Sequence, residues 1–248
     1  MTLHAALILF GVGLVAGFVN VNAGGGSTIT LPALIFLGLD APVANGTNRI
    51  GIVIQSLTGS YAFARSDHHQ FDRSFKLAVL TLPGAIAGAL LSVRIGNEMF
   101  HKILGVVMIG IIITMLIPRA KGVNVGKQGT PITPKVVAAM LAIGFYGGFI
   151  QVGVGFLLMA VLQYLMKYNL VYVNMHKVFI VALYSIPALL IFIVKGDVNW
   201  FYGLTLAAGN SLGAYWAARY AVRAGEKWIK GVLILAVLLM SAKLFKLF

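Results

Sequence analysis

The chain has 248 residues, of which 60% are hydrophobic and only 10% are charged. A soluble domain carries about a quarter charged residues because its surface faces water, so a mean hydropathy of +0.94 excludes an ordinary soluble enzyme. The composition instead predicts a polytopic membrane protein. The net charge of +13 comes largely from basic residues that stand between apolar runs, which favours membrane loops over nucleic-acid binding.

Ten apolar segments follow one another along the chain. Segments this apolar are expected to be helical, because lipid offers backbone N–H and C=O groups no partner outside the helix itself. The predicted fold class is therefore an all-α integral membrane protein in contact with the lipid bilayer. The predicted segments cover residues 3–21, 25–38, 42–64, 74–93, 99–117, 134–150, 153–168, 172–194, 199–218 and 228–245.

The basic residues of the loops predict an orientation. In a ten-segment count one side of the membrane holds 12 basic residues and the other holds five. The positive-inside rule makes the richer side cytoplasmic and places both termini outside the cytoplasm. That side carries Arg65, Arg73, Lys76, Arg119, Lys121, Lys127, Lys135, Lys167, Arg219, Arg223, Lys227 and Lys230.

The two halves of the chain resemble each other. Residues 13–21 match residues 144–152, and the glycine-rich stretch 84–88 matches 209–213. Five segments in each half, an odd number, predict that the second repeat is inverted relative to the first, as in many secondary transporters. The alternative is chance recurrence of small-residue patterns. The predicted division is a first repeat over 1–120, a cytoplasmic linker over 121–133 and a second repeat over 134–248.

The first candidate site surrounds three consecutive glycines in an apolar region. Glycine disfavours a helix interior, and a broken or re-entrant helix at membrane depth is tolerated where its backbone lines a cavity or is buried in protein. A tight turn at the membrane surface is the simpler alternative. The predicted substrate-binding residues here are Asn20, Asn22, Gly24, Gly25, Gly26 and Ser27, with Gln151 at the matching break in the second half.

The second candidate site lies where the third and eighth segments are expected to open. Asparagine can cap a helix, the first N–H groups carry partial positive charge, and a basic residue follows within two turns. This pattern predicts a site for an oxyanion, although basic residues near the ends of spans also snorkel to the interface. The predicted binding residues are Asn45, Thr47, Asn48 and Arg49 in the first half and Asn174, His176 and Lys177 in the second.

All six acidic residues map to loops or segment ends. A segment interior without carboxylates offers no evident cation site and no carboxylate proton relay, so an anionic substrate is expected. The sequence contains no cysteine and no phosphate-binding loop, and no catalytic site, metal site or cofactor is predicted.

Three of these motifs together resemble the sulfite exporter TauE/SafE family, also called the toluene sulfonate uptake permeases. They are the pair Gly13 and Gly17, the run Gly24 to Gly26 with Pro32, and the stretch from Ala44 to Thr47. The resemblance implies a bacterial inner-membrane permease for sulfur-containing anions such as sulfite, sulfoacetate or sulfonates. It also places the first-half site at the glycine break and at residues 45–49.

The expected function is therefore a secondary transporter that moves a small sulfur-containing anion by alternating access. An anion channel, which would need a continuous polar pore, is the alternative within transport. A non-transport membrane scaffold and an intramembrane enzyme are the alternatives outside transport, and the enzyme is disfavoured because no nucleophile, base and acid occur together. A proton or sodium ion as coupling ion and a homo-oligomer are open possibilities.

Overall fold

The computed structural model describes residues 3–65, 70–116 and 129–221, and within them every regular element is a helix. The helices are α1 (Leu3–Ala23), α2 (Ser27–Phe36), α3 (Ala41–Ala64), α4 (Phe71–Ser92), α5 (Asn97–Leu116), α6 (Pro134–Phe149), α7 (Val154–Ala160), α8 (Leu170–Lys195) and α9, which runs from 200 to the last described residue, 221.

The first nine predicted segments are each found as a helix, and the all-α fold class is confirmed. The tenth segment, 228–245, lies outside the described residues, as does most of the linker 121–133. Helices α1, α4 and α8 are each long and apolar enough to cross a bilayer. The chain is therefore a multi-pass membrane protein.

The helices that follow the two breaks are short. Helix α2 has 10 residues, and α7 has seven before it passes into a π-helical turn over Val161–Leu165. At about 1.5 Å per residue neither reaches across a hydrocarbon core of about 30 Å. The predicted seventh segment, 153–168, was thus too long: the regular helix ends early, and both segments that follow a break cover only about half of the core.

Two helix pairs pack through small residues. A side chain on Gly84 or Gly88 of α4 would collide with the backbone of α6, and one on Gly144 or Gly148 of α6 would collide with the backbone of α4. The matching glycines bring α1 and α9 together in the same way, since Gly13, Gly17, Gly209 and Gly213 all meet the backbone of the partner helix. Each pair joins one helix from each half of the chain.

Helices α3 and α8 begin earlier than predicted. Asn45 and Asn174 do not cap them: each lies four residues inside its helix, where the backbone N–H is already used in the helical ladder. Helix α8 is capped instead by Asn169, whose side chain accepts from the backbone N–H of Tyr172, and α3 begins next to Pro42, whose fixed φ suits a first turn. The oxyanion site can therefore not use helix-start N–H groups at these asparagines.

Candidate functional site

The two helix breaks meet in the interior of the protein. Gly24, which follows α1, has a left-handed φ of +84°, and a side chain on it would collide with the backbone of Gly155 at the start of α7. A side chain on Gly155 would in turn collide with Gly24. Glycine is required at both positions because the two backbone segments cross without room for a Cβ atom. The predicted break at the glycine run is therefore a buried crossing and not a turn at the membrane surface.

A small cavity lies beside this crossing, between the middle of α3 and the middle of α8. Its volume of about 10 Å³ gives room for one water molecule. Six of its eleven lining residues have polar or charged side chains. The cavity is lined by Asn20, Gly24, Ser27, Gln55, Ser56, Gln151, Val154, Gly155, Lys177, Val178 and Val181.

Lys177 is the charged side chain of this lining, and it is 2% exposed. Its Nζ donates to the carbonyl oxygen of Val21 at 2.6 Å and to Oδ1 of Asn174 at 2.9 Å. Both oxygens belong to neutral groups, and these bonds position the ammonium. Lys177 does not snorkel to an interface but points into the protein from the second turn of α8.

Arg49 is buried completely and contacts the end of α6. Its two terminal nitrogens donate to the carbonyl oxygens of Gly147 at 3.1 Å and Gly148 at 2.5 Å, and one also donates to Oε1 of Gln151 at 3.3 Å. The guanidinium also lies over the ring of Phe192, 4.6 Å from its centroid. The cation satisfies carbonyl groups that a helix C-terminus leaves without a partner. Arg49 does not line the cavity.

Gln151 joins these two features. It lines the cavity, accepts the hydrogen bond from Arg49, and has a left-handed φ of +63°. A residue other than glycine in this region costs about 1–2 kcal/mol, and such conformations are concentrated at functional sites. Of the predicted binding residues the structure thus brings Asn20, Gly24, Ser27, Gln151 and Lys177 to one cavity.

The other predicted residues of the first half lie around this cavity or away from it. Asn20 accepts from the backbone N–H of Gly26, and Gly25 packs against the ring of Phe156, so both glycines serve the break itself. Asn22 donates to the carbonyl of Phe18 inside α1.

The polar residues of α3 mostly bind neighbouring helices. Asn45 donates to Ser92 and to the carbonyl of Phe149, and Asn48 accepts from Thr30 on α2. Thr47 accepts from the backbone N–H of Asn199. These bonds place α3 among its neighbours, and none of the three side chains lines the cavity.

In the second half, Asn174 holds Lys177, whereas His176 points away from the cavity. Nδ1 of His176 lies 2.8 Å from Oγ of Ser74 on α4, and its ring packs on Tyr168 with the centroids 4.4 Å apart. The predicted grouping of His176 with Lys177 as joint ligands does not match this geometry. Neighbouring residues of a helix point about 100° apart, so the two side chains face different partners.

The sequence analysis missed Gln55 and Ser56. Both are buried in α3 and line the cavity, and Oε1 of Gln55 has no hydrogen-bond partner among the described residues. A buried amide oxygen without a partner is costly, so it marks a place where water or another hydrogen-bond donor can bind, while the N–H group of the same amide can donate. The sequence does carry a signal for them, because two adjacent polar residues in the middle of an apolar segment are typical of a polar site inside a membrane protein.

The acids that the structure describes lie at helix ends. Asp40 precedes α3 and accepts from Asn97, while Asp197 follows α8. Partial burial raises the pKa of the Asp197 carboxyl, and nearby Lys195 opposes that rise. No acid belongs to the lining of the described cavity, and Lys177 is the charged residue in it.

A helical membrane protein in which two broken segments cross beside a small polar cavity has the architecture of a secondary transporter, where discontinuous helices surround the substrate site. The sequence comparison agrees with that class. The chain belongs to the sulfite exporter TauE/SafE family, whose model matches residues 9–244. It is a family of membrane transporters and not of enzymes.

Similar proteins match over nearly their full length. The chain is 29% identical to the probable membrane transporter protein ORF9 of Sinorhizobium sp over 247 residues, which is 98% of this chain and 94% of that protein. It is 29% identical to YfcA of Escherichia coli K12, covering 96% and 88% of the two chains, and 24% identical to YunE of Bacillus subtilis, covering 96% of each. Both are also named probable membrane transporter proteins. No solved structure matches the chain.

Proposed function

We propose that this protein is a permease that moves a small sulfur-containing anion, organic or inorganic, across the bacterial inner membrane. The observation that carries the proposal is the position of Lys177: a buried ammonium lines a cavity that holds no carboxylate and lies beside the crossing of two helix breaks. An ammonium group that lines a cavity together with neutral polar groups favours an anionic ligand. The sulfur chemistry is taken from the name of the family.

The neutral polar groups of the cavity suit a sulfite or sulfonate headgroup. Such a headgroup presents three oxygens that accept hydrogen bonds, and hydroxyl, amide and ammonium groups are the corresponding donors. The proposed binding residues are Asn20, Ser27, Gln55, Ser56, Gln151 and Lys177, with Gly24 giving the backbone close access. Arg49 and Asn174 are proposed to act by holding Gln151 and Lys177 in place.

The size of the cavity favours a carrier over a channel. Room for one water molecule is too little for a sulfonate, so the site must widen before the substrate enters. A channel would instead need a continuous polar pore. Because each glycine-packed pair joins one helix from each half, we take the moving units to be the pairs α4–α6 and α1–α9, and not the two halves of the chain as rigid bodies.

Counterflow tests this function. The protein is reconstituted in proteoliposomes loaded with an unlabelled anion, and uptake of the same anion, labelled with sulfur-35, is followed at trace concentration. Sulfite, sulfoacetate and an arylsulfonate are compared with chloride, which carries chlorine-36 as its label. A carrier gives a transient overshoot with at least one sulfur anion, whereas a channel gives none. Absence of overshoot with every sulfur anion, in vesicles shown to contain folded protein, would overturn the proposal.

The orientation is proposed from the loop charges, 12 basic residues on one side against five on the other. Both termini then lie outside the cytoplasm. A single cysteine added after residue 248 should react with an impermeant maleimide in intact spheroplasts, since the natural chain has no cysteine of its own. The coupling ion, proton or sodium, is identified by the same uptake assay under imposed gradients.

A further inference from the structure

Two hydrogen bonds outside the cavity connect the start of one helix to the side of another. On the side where α4 and α8 begin, Oγ of Ser74 lies 2.8 Å from Nδ1 of His176. Both residues are buried completely, and Tyr168 covers the histidine ring. Arg73 lies over the ring of Tyr168 and donates to the carbonyl of Thr130. This end of the protein is therefore closed by a side-chain bond and an aromatic cover.

The opposite end has a corresponding bond. The backbone N–H of Asn199 donates to Oγ1 of Thr47 at 2.9 Å, and Thr47 is buried completely. The side chain of Asn199 accepts from the backbone N–H of Tyr202, so the same residue begins α9 and contacts α3. The bond thus fixes the start of α9 against α3, as Ser74 fixes the start of α4 against α8.

The two bonds are counterparts under the predicted repeat. The alignment that matches Asn45 with Asn174 also matches Thr47 with His176, and the alignment of Gly84 with Gly209 matches Ser74 with Asn199. The two partners of one bond therefore correspond to the two partners of the other. Lys177 follows His176 directly, and Asn48 follows Thr47, so each bond lies one residue from the polar groups that face the protein centre.

We infer that Ser74–His176 and Thr47–Asn199 are the two gates of the transporter, the first on the cytoplasmic side and the second on the outer side. The inference rests on the proposed function and adds two positioning residues, Ser74 and Asn199, to it. The first bond joins the α4–α6 pair to α8, and the second joins the α1–α9 pair to α3. Movement of one pair breaks one bond and leaves the other intact, which opens the cavity to one side only.

The gates are tested by chemical access to the cavity, since the natural absence of cysteine allows a single reporter. Val181→Cys places a thiol in the cavity lining without removing one of its polar groups. Its reaction with an impermeant maleimide is timed in right-side-out and in inside-out vesicles. Ser74→Ala removes the inner bond, and Thr47→Val removes the acceptor of the outer bond while keeping the shape of the side chain.

In the reporter background, Ser74→Ala is expected to raise the labelling rate from the cytoplasmic side about fivefold, because one net hydrogen bond biases a two-state population by roughly that factor. Thr47→Val is expected to raise labelling from the outer side by a similar factor. Ser74→Thr keeps the hydroxyl and should restore the original rate. Ser211→Ala is the matched control, since the Ser211 hydroxyl donates only within its own helix, to the carbonyl of Ala207.

The inference is overturned if the two variants raise labelling equally from both sides, if neither changes it, or if Ser211→Ala has the same effect. This readout needs no substrate, so it separates the two proposals. Side-specific labelling together with no counterflow of any sulfur anion would leave the gates standing and remove the proposed substrate class. Counterflow of a sulfur anion together with unchanged labelling in all variants would support the proposed substrate class and overturn the proposed gates.

Discussion

Arg49 and Lys177 are basic residues at nearly equivalent positions of the two halves, since the alignment of Asn45 with Asn174 sets Lys177 one residue before Arg49. Their surroundings in the structure are different. Each reaches across to the end of a broken helix in the other half: Arg49 to the carbonyls of Gly147 and Gly148 at the end of α6, and Lys177 to the carbonyl of Val21 near the end of α1. Both therefore neutralise the negative end of a helix dipole. Only Lys177 also lines the cavity.

The difference follows from the chemistry of the two side chains. Arginine presents a planar fork of donors, and that of Arg49 is directed at two carbonyls and an amide while Phe192 covers its face. Lysine is a compact charge on a flexible stem, which can touch a helix end and a ligand at once. We therefore propose separate roles for the two cations: Arg49 holds the site together, and Lys177 contacts the substrate.

The largest effect is expected where the two helix ends cross. Gly155→Val would place a branched side chain against the backbone of Gly24, and the same change at Gly105, whose Cβ position is open, provides the control. Overpacking of this kind costs about 1–3 kcal/mol or more, and both cation contacts depend on the crossing. We expect the loss of monodisperse protein on size exclusion for Gly155→Val and normal behaviour for Gly105→Val. Normal folding of both would show that the crossing tolerates a side chain.

Next in size is the loss of the cavity charge. Lys177→Met keeps the length of the side chain and removes the ammonium, and a charged hydrogen bond lost from a buried site corresponds to a fall of about 100-fold. We expect counterflow of the sulfur anion to fall by that factor. Lys195→Met, at the exposed end of the same helix, should transport at the normal rate. Equal transport by the two variants would place the substrate elsewhere.

Arg49 is expected to affect stability more than affinity. Arg49→Lys keeps the charge but replaces the planar fork of two terminal nitrogens by one nitrogen, so one or more carbonyls of α6 lose a partner at a cost of about 1–3 kcal/mol. A lower midpoint in thermal unfolding, with the dissociation constant of the anion changed less than about threefold, is the expected pattern. A large rise in the dissociation constant with unchanged unfolding would mean that Arg49 contacts the substrate.

The smallest effect is expected for Gln55→Leu, which tests whether the amide of Gln55 binds the anion or only stabilises the fold. Its amide oxygen has no partner among the described residues, so Gln55→Leu removes an unsatisfied polar atom. The free protein should unfold at the same or a higher temperature. Anion affinity should fall about fivefold, the value of one net hydrogen bond, because the amide N–H no longer donates to the anion. If the variant is destabilised and binds normally, the amide serves the fold and not the ligand.

Much of this arrangement could be predicted from the sequence. The apolar segments marked nine helices because lipid forces the backbone to bond within each segment, and the glycine run marked the break because glycine disfavours a helix interior. The exact helix starts could not be found: Asn169 and Asn174 are equally good caps for α8 by residue type, and only packing decides which one is used.

The roles of the polar residues were harder to predict. Arg49 and Lys177 occur in similar sequence contexts. They differ in what the side chain contacts: that of Arg49 contacts the end of α6, and that of Lys177 lines the cavity. His176 and Lys177 are adjacent in sequence but face different helices, so spacing alone grouped them wrongly. Gln55 and Ser56 stand out as adjacent polar residues in an apolar segment, but only the structure shows that they line the cavity and that Oε1 of Gln55 has no partner among the described residues.

The different roles proposed for Arg49 and Lys177 are tested most directly by the dissociation constant of the anion in two variants. The affinity of the transported sulfur anion is measured by isothermal titration for Arg49→Met and Lys177→Met, prepared in the same detergent, with the folded fraction of each determined from its unfolding curve. Corrected for that fraction, the affinity is expected to be near the natural value for Arg49→Met and about 100-fold weaker for Lys177→Met. Equal losses, or a larger loss for Arg49→Met, would contradict the division of roles proposed for the two residues.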